Sequence, residues 1–232
     1  ARAMTDFYTD RREEWVAVGG VRQAMYSEDV RFVRESNYDA MLNFNKRFGE
    51  DFSLTALVGV NFRRNLYNRN YVTTQGGLNT PGLYNLSNSA SELSATDFTS
   101  EFEVFSVFQQ ATLGYKDYLY LDLTNRTDFN STLPAGKNVY DYYSANLSFV
   151  FSELLPQNDI LSFGKFRGGY ARVGKGTSAY QLNTIYATNP NFGSNGMATV
   201  PNALLNADLK PETTSGLEVG LDLRFLKDRL GV

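Results

Sequence analysis

A chain of 232 residues, 42% hydrophobic and 20% charged with a net charge of -3, has room for one large domain or two small ones. It carries no basic excess to attract nucleic acid. It has no cysteine and no histidine; this excludes disulfides, thiolate metal sites, the Ser-His-Asp triad and most zinc chemistry. No run of about eighteen apolar residues occurs, so a transmembrane helix is excluded, but membrane strands, being half polar, are not.

Residues 1–27 show little pattern. Glu14 to Val18 reads as a short strand broken by Gly19-Gly20. A hairpin follows, its first strand expected to begin near Phe32. Tyr38, Ala40, Leu42 and Phe44 fall at every second position. After a polar break, Lys46 to Asp51, alternation resumes with Phe52, Leu54, Ala56, Val58, Val60 and Phe62 on one parity. A period of two means strands, whose successive side chains point to opposite faces. Met41 and Leu57 are the exceptions on the polar parity. The run Phe52–Phe62 reaches roughly 35 Å at about 3.3 Å per residue. Tilted by about 45°, it covers roughly 25 Å, the height of the apolar band of an outer-membrane barrel. Its two phenylalanines bracket smaller aliphatics, as interfacial girdles would. A long hairpin of a soluble sandwich fits this stretch equally well.

Residues 64–99, crowded with Asn, Thr, Gly and Ser, read as a long irregular loop. Alternation returns from Glu101 to Tyr115 with a parity that Phe108 and Gln109 leave unsettled. A tight turn at 114–117 leads to a strand carrying Leu119, Leu121 and Leu123. A medium loop spans Asp128 to Asn138. Tyr143, Ala145, Leu147, Phe149 and Phe151 mark the next strand, 153–162 a compact break around Pro156, and Phe163–Val173 another strand. A second long loop is expected from Gly174 to about Pro211. The last clear strand sets Leu217, Val219, Leu221 and Leu223 against Glu218, Gly220, Asp222 and Arg224, and a new alternation begins after the turn at 226–229.

Short and long connections therefore alternate. In an up-and-down meander, alternate connections lie at the same end of the sheet. One end has tight turns and the other long loops, an asymmetry of outer-membrane barrels that a Greek-key sandwich has no reason to show. The expected fold is all-β: an antiparallel up-and-down transmembrane β-barrel segment with short periplasmic turns and long extracellular loops. Strands crossing lipid must close so that every backbone group is paired. The apolar parity then faces lipid. Asn61, Arg63, Asp122, Arg126, Asn146, Glu218, Asp222 and Arg224 line an aqueous interior.

Several motifs imitate chemistry. Gly169 to Gly176 nearly spells a phosphate-binding loop, but no Ser or Thr directly follows Lys175 and no amphipathic helix follows. Glycines easing a strand into a loop explain it. Asp128, Asn130 and Thr132 have calcium-loop spacing, yet Leu133 stands where glycine is needed and no closing Glu follows; a polar turn is the default. Glu101, Glu103, Glu218 and Asp222 read as solvated faces rather than a glycosidase pair. No catalytic residue, metal site or cofactor is expected. Tyr84, Tyr180 and Tyr186, in the long loops, are candidates for stacking on a substrate or for packing the loops together.

Leu209-Lys210-Pro211-Glu212-Thr213-Thr214, then Glu218 to Asp222, Phe225 and Arg229-Leu230, resembles the SusC/RagA-like TonB-dependent outer-membrane transporters. Tyr115 to Leu121 with Arg126, Asp128 and Ser131 to Pro134 is similar to the same family, as is Phe151-Ser152-Glu153 followed by Phe163 to Arg167. Phe129 and Asn130 stand where Trp and Ser are expected. The resemblance runs from about Asn37 to the end. It implies a plugged barrel of the roughly 22-strand class, of which residues 1–232 would form one partial barrel domain in the C-terminal half. Plug, energy-coupling box, signal peptide and final strand are expected to lie outside this chain. It further implies import of oligosaccharides or peptides across the bacterial outer membrane. The implied partners are membrane lipid, a SusD-like lipoprotein lid and, through a segment elsewhere, the TonB energy-coupling complex. A passive porin and a soluble β-rich carbohydrate-binding domain are the alternatives.

Overall fold

The computed structural model describes residues 1–156 and 160–232; the middle of the break expected at 153–162 lies outside the described residues. The strands are β1 (Arg2–Val16), β2 (Met25–Phe48), β3 (Phe52–Leu78), β4 (Ser89–Tyr115), β5 (Leu119–Asn130), β6 (Val139–Phe149), β7 (Leu161–Lys175), β8 (Ala187–Phe192), β9 (Asn195–Thr199), β10 (Glu212–Phe225) and β11 (Leu230–Gly231). All but β8 and β9 form one sheet in the order β1-β2-β3-β4-β5-β6-β7-β10-β11; β8 and β9 pair with each other. Each strand of the main sheet thus lies beside its neighbour in sequence, apart from the β8–β9 hairpin inserted in the loop before β10. This is the expected meander, and the sheet is not closed within these residues.

The β2–β3, β4–β5 and β10–β11 connections are short, as expected, but the β6–β7 connection, 150–160, spans as much chain as 79–88, so the expected alternation of short and long connections is kept only in part. In the β4–β5 turn Lys116 and Asp117 have φ of 49° and 57°, and Tyr118 N donates to Tyr115 O at 3.2 Å. Positive φ at both central residues matches the twist of paired strands.

The chain forms two compact units. One comprises Ala1–Arg2, Tyr38–Phe62 and Val104–Val232; the other comprises Ala3–Asn37 and Arg63–Glu103.

In the first unit the register separates the two faces. Leu113 pairs with Leu121, Leu121 with Leu147, Leu147 with Gly168, and Gly168 with Val219. The adjacent row runs Thr112, Asp122, Asn146, Gly169, Glu218. The apolar row is not sealed between layers. Val58 is 47% exposed, Leu147 43% and Val219 69%, while Leu54 and Leu121 are half-buried among neighbours of their own sheet. A soluble sandwich would bury this face against a second sheet. Here it stays open.

Rows of rings border the apolar face at both ends. Beside the short turns, Phe52, Tyr115, Tyr118, Phe149 and Phe151 follow one another with centroid spacings of 4.8, 5.6, 6.1 and 6.5 Å. Toward the long loops stand the pairs Tyr38–Phe62, Phe105–Phe129 and Tyr143–Tyr170, at 6.3, 5.9 and 6.2 Å. Rings collect where apolar surface meets water, because each offers an apolar body and, in Tyr, a polar tip.

The unsettled parity of β4 is resolved by where its two misfits lie. Gln109 is on the apolar face opposite Asn125 and donates Nε2–H to its Oδ1 at 3.4 Å. Phe108 is on the polar face, lying flat over Gly59. A Cβ on Gly59 would stand 2.5 Å from the Phe108 ring and 2.9 Å from Met41 Cγ. So Phe108 and Met41, each misplaced by sequence pattern, cover one glycine. Gly59→Ala is expected to destabilise the full-length barrel by about 1–3 kcal/mol through overpacking. In the Phe108→Ala background the same change should cost much less, a coupling read from a double-mutant denaturation cycle.

The second unit overturns the expectation of an irregular loop at 64–99. β3 continues unbroken to Leu78 and β4 starts at Ser89; only 79–88 connects them, ending in a 3-10 turn at Leu86–Asn88. β1 likewise occupies Arg2–Val16, and β2 starts at Met25 rather than near Phe32. These strands lack apolar alternation because ion pairs replace it. Arg63 reaches Glu35 at 2.6 Å, Arg69 reaches Asp29 at 2.9 Å, Arg64 reaches Glu101 at 2.5 Å and Arg11 reaches Glu28 at 3.1 Å. The unit's small core is Tyr26, Thr73 and Thr74, where Tyr26 N donates to Thr74 Oγ1 at 2.9 Å.

Candidate functional site

The polar face of the first unit gathers the residues expected to line an aqueous interior. Asn61 Nδ2 donates to Asp39 at 2.7 Å. Thr112 Oγ1 donates to Asp122 at 2.5 Å. Arg126 donates to Asp128 at 2.6 Å and to Ser106 Oγ at 2.7 Å. Arg167 lies 3.6 Å from Asp222, and Arg224 stacks over Phe163 at 5.2 Å. Arg63, in the second unit, holds Glu35 and stacks over Phe102 at 5.4 Å. Such a surface suits contact with water and polar solutes. Asp39, Asp122, Asp128 and Asp222 are engaged by these neighbours. Glu101 and Glu103 share Arg64, at 2.5 and 3.4 Å.

The phosphate-loop imitation lies in β7 up to Lys175, where Gly169 pairs with Asn146 and Glu218. That is strand, as its glycines suggested. The calcium-spaced residues form a polar turn. Asn130 Oδ1 accepts from Thr132 N and Oγ1, both at 2.9 Å, and Asp128 is taken by Arg126.

The loop tyrosines do not form one cluster. Tyr180, with φ of 63°, and Tyr186 lie in the connection before β10, 59% and 63% exposed. Among the described residues, no ring contact joins either to another aromatic. That connection is no featureless loop: β8 and β9 form a hairpin in it, and Lys137 Nζ donates to Asp208 at 2.6 Å, tying it to the β5–β6 loop. Tyr84, in the second unit, stands 6.3 Å from Trp15. Trp15 was absent from the sequence candidates. Its only sequence signal is that it is the chain's single tryptophan.

A family model described as "TonB dependent receptor-like, beta-barrel" matches residues 3–232. The chain belongs to this family. The TonB-dependent receptors P26 and P3 of Formosa agariphila are 27% and 25% identical over 206 and 228 residues, which is 84% and 92% of this chain. The chain spans about a fifth of their length, 20% and 21%. The RagAB peptide transporter shares the fold, with a TM-score of 0.87 at 18% identity over 99% of this chain and 26% of that one. The RagAB peptide importer in its "open-open" state gives a TM-score of 0.84. The resemblance to SusC/RagA-like transporters is thus borne out, and with it the barrel-segment fold. In a TonB-dependent receptor-like barrel the apolar face meets lipid and the polar face lines the interior.

Proposed function

We propose that this chain is part of the wall of an outer-membrane, TonB-dependent transporter that imports oligosaccharides or peptides beneath a SusD-like lipoprotein lid. The observation that carries this is the open apolar face framed by two rows of rings, with an ion-paired polar face behind it, in a chain of this family. Such a wall performs no chemistry of its own. It supplies a rigid polar passage, and the work of moving a plug comes from the energy-coupling complex through a part of the protein outside these residues. Two connections support contact with lid or substrate: 79–88, and the connection from 176 to 211. Both lie at the ends away from the short turns.

The test uses the full-length protein in its own outer membrane. Uptake of substrate that stops when the proton gradient is collapsed supports the transporter. Uptake that continues would point to the passive porin, and release of the protein without detergent to the soluble alternative. Replacing residues 79–88 by Asn-Gly should leave the amount of protein in the outer membrane unchanged and lower lid co-purification or uptake. If both stay at the wild-type level, that loop has neither role.

A further inference from the structure

The Trp15–Tyr84 pair has features that neither the ion-paired walls nor the apolar face share. Trp15 closes β1 and is 58% exposed. Its ring centroid lies 6.3 Å from that of Tyr84, with 38° between the planes. Leu83, beside Tyr84 in the chain, is 49% exposed. Apolar surface is thus held open to water at the connection between β3 and β4.

That connection is built to hold its shape. The buried Asn88 donates Nδ2 to Thr80 O at 2.8 Å and Leu83 O at 2.7 Å, and its Oδ1 accepts from Thr80 N at 2.9 Å. Asn79 N donates to Asn88 O, and Asn79 Nδ2 to Ser89 O, both at 2.9 Å. Tyr84 sits between these anchors, so its backbone is fixed before anything arrives. Tyr84 is half-buried there, with Leu83 exposed beside it and the exposed Trp15 against its ring.

The surroundings indicate the ligand's chemistry. From Tyr71 to Ser91 the sequence contains no Asp, Glu, Lys or Arg. The polar residues of that segment are amides and hydroxyls instead, among them Gln75, Asn79, Thr80, Asn85 and Ser87. The charges nearest in sequence are Arg11, Arg12, Glu13 and Glu14 before Trp15 and Glu92 after the connection; Arg11 holds Glu13 at 3.1 Å and Arg12 holds Asp10 at 2.8 Å. A phosphate or a peptide terminus would call for an opposing charge. A pyranose ring needs none. Its C–H face packs on an aromatic face, and its hydroxyls, each both donor and acceptor, match amides.

We propose that Trp15 and Tyr84 form a subsite for one sugar ring of a neutral oligosaccharide. This deepens the transporter reading by naming its substrate class, and rests on it only for the site's exposure to the cell exterior. The test is equilibrium binding to the full-length protein in detergent. The probes are neutral hexasaccharides of glucose, mannose, galactose and xylose, and in parallel a set of unlabelled nonapeptides. At least one hexasaccharide should bind. Trp15→Ala and Tyr84→Ala should each weaken it by about tenfold, and Trp15→Phe should largely retain it. Unchanged heat-modifiable migration on a gel confirms that the variants fold. Failure of all four sugars, or sugar binding indifferent to both alanine variants, overturns the proposal. Peptide binding lost in the same variants also overturns it, making the pair a peptide subsite. If sugar binding depends on both rings but uptake ignores the proton gradient, the subsite stands and energised transport falls.

Discussion

Val58→Arg should cost the full-length barrel about 2–4 kcal/mol when it folds into a lipid bilayer, the cost of placing arginine near the membrane midplane. Val58 lies midway between Phe52 and Phe62 and is 47% exposed. It also edges a groove of about 680 Å³ with Leu42, Ala56, Ala111 and Leu123. Among the described residues lining that groove none is acidic, so an arginine there meets no carboxylate in it. Three residues away Thr55, on the opposite face, should accept arginine with little change, since that face already carries Asp39 and Asn61. Urea titration of protein folded into vesicles reads both variants. Equal stability of the two would mean that lipid does not wet the Val58 side. The whole assignment of faces would then be lost, because the register ties Leu113, Leu121, Leu147 and Val219 to one surface.

Asp29→Ala should be comparably damaging, by on the order of 3 kcal/mol, for the opposite reason. Asp29 is 8% exposed and accepts from Arg69 Nε and a terminal nitrogen, both at 2.9 Å, and from Arg31 at 3.1 and 2.5 Å. Two guanidinium groups around one carboxylate repel once it is removed. Hydrogen bonds from Arg69 first, then Arg31, outweigh the burial penalty and hold the carboxyl at about 2, below its usual 3.8. The folded value is depressed, so the stabilisation is complete above about pH 4 and is lost as the pH falls through about 2. Glu35 is shifted in the same direction, chiefly by the hydrogen bond from Arg63. Hydrogen exchange of the full-length protein should show 25–37 and 63–72 opening first on acidification. In Asp29→Ala those segments should exchange fast even at pH 7. Equal protection at pH 7 in wild type and variant would remove the triad from the stability of this unit.

The contrast between these two sites explains what could be read from sequence. The hairpin around 38–62 is legible because one face is apolar and the other polar, which imposes a strict period of two. The strand at 63–78 is not, because both of its faces are polar. Arg63, Arg64 and Arg69 find partners in Glu35, Glu101 and Asp29, residues that only register brings together. β1 escaped for the same reason, its Asp, Arg and Glu residues giving no apolar parity. Phe108 and Gln109 were unreadable singly; one needed Gly59 and the other Asn125. For the candidate site, Tyr84 was legible as a loop aromatic, whereas Trp15 became visible only once the fold set it beside Tyr84.

Phe108 over Gly59 has counterparts on the same face. Tyr120 lies over Gly114, Asn146 over Gly169 and Arg167 over Gly220. In each case a long side chain reclines across the space a missing Cβ leaves. Upright, any of them would stand proud of the polar face. Lying across their neighbours, they leave that face with few projections, a smoothness that comes from what the glycines lack.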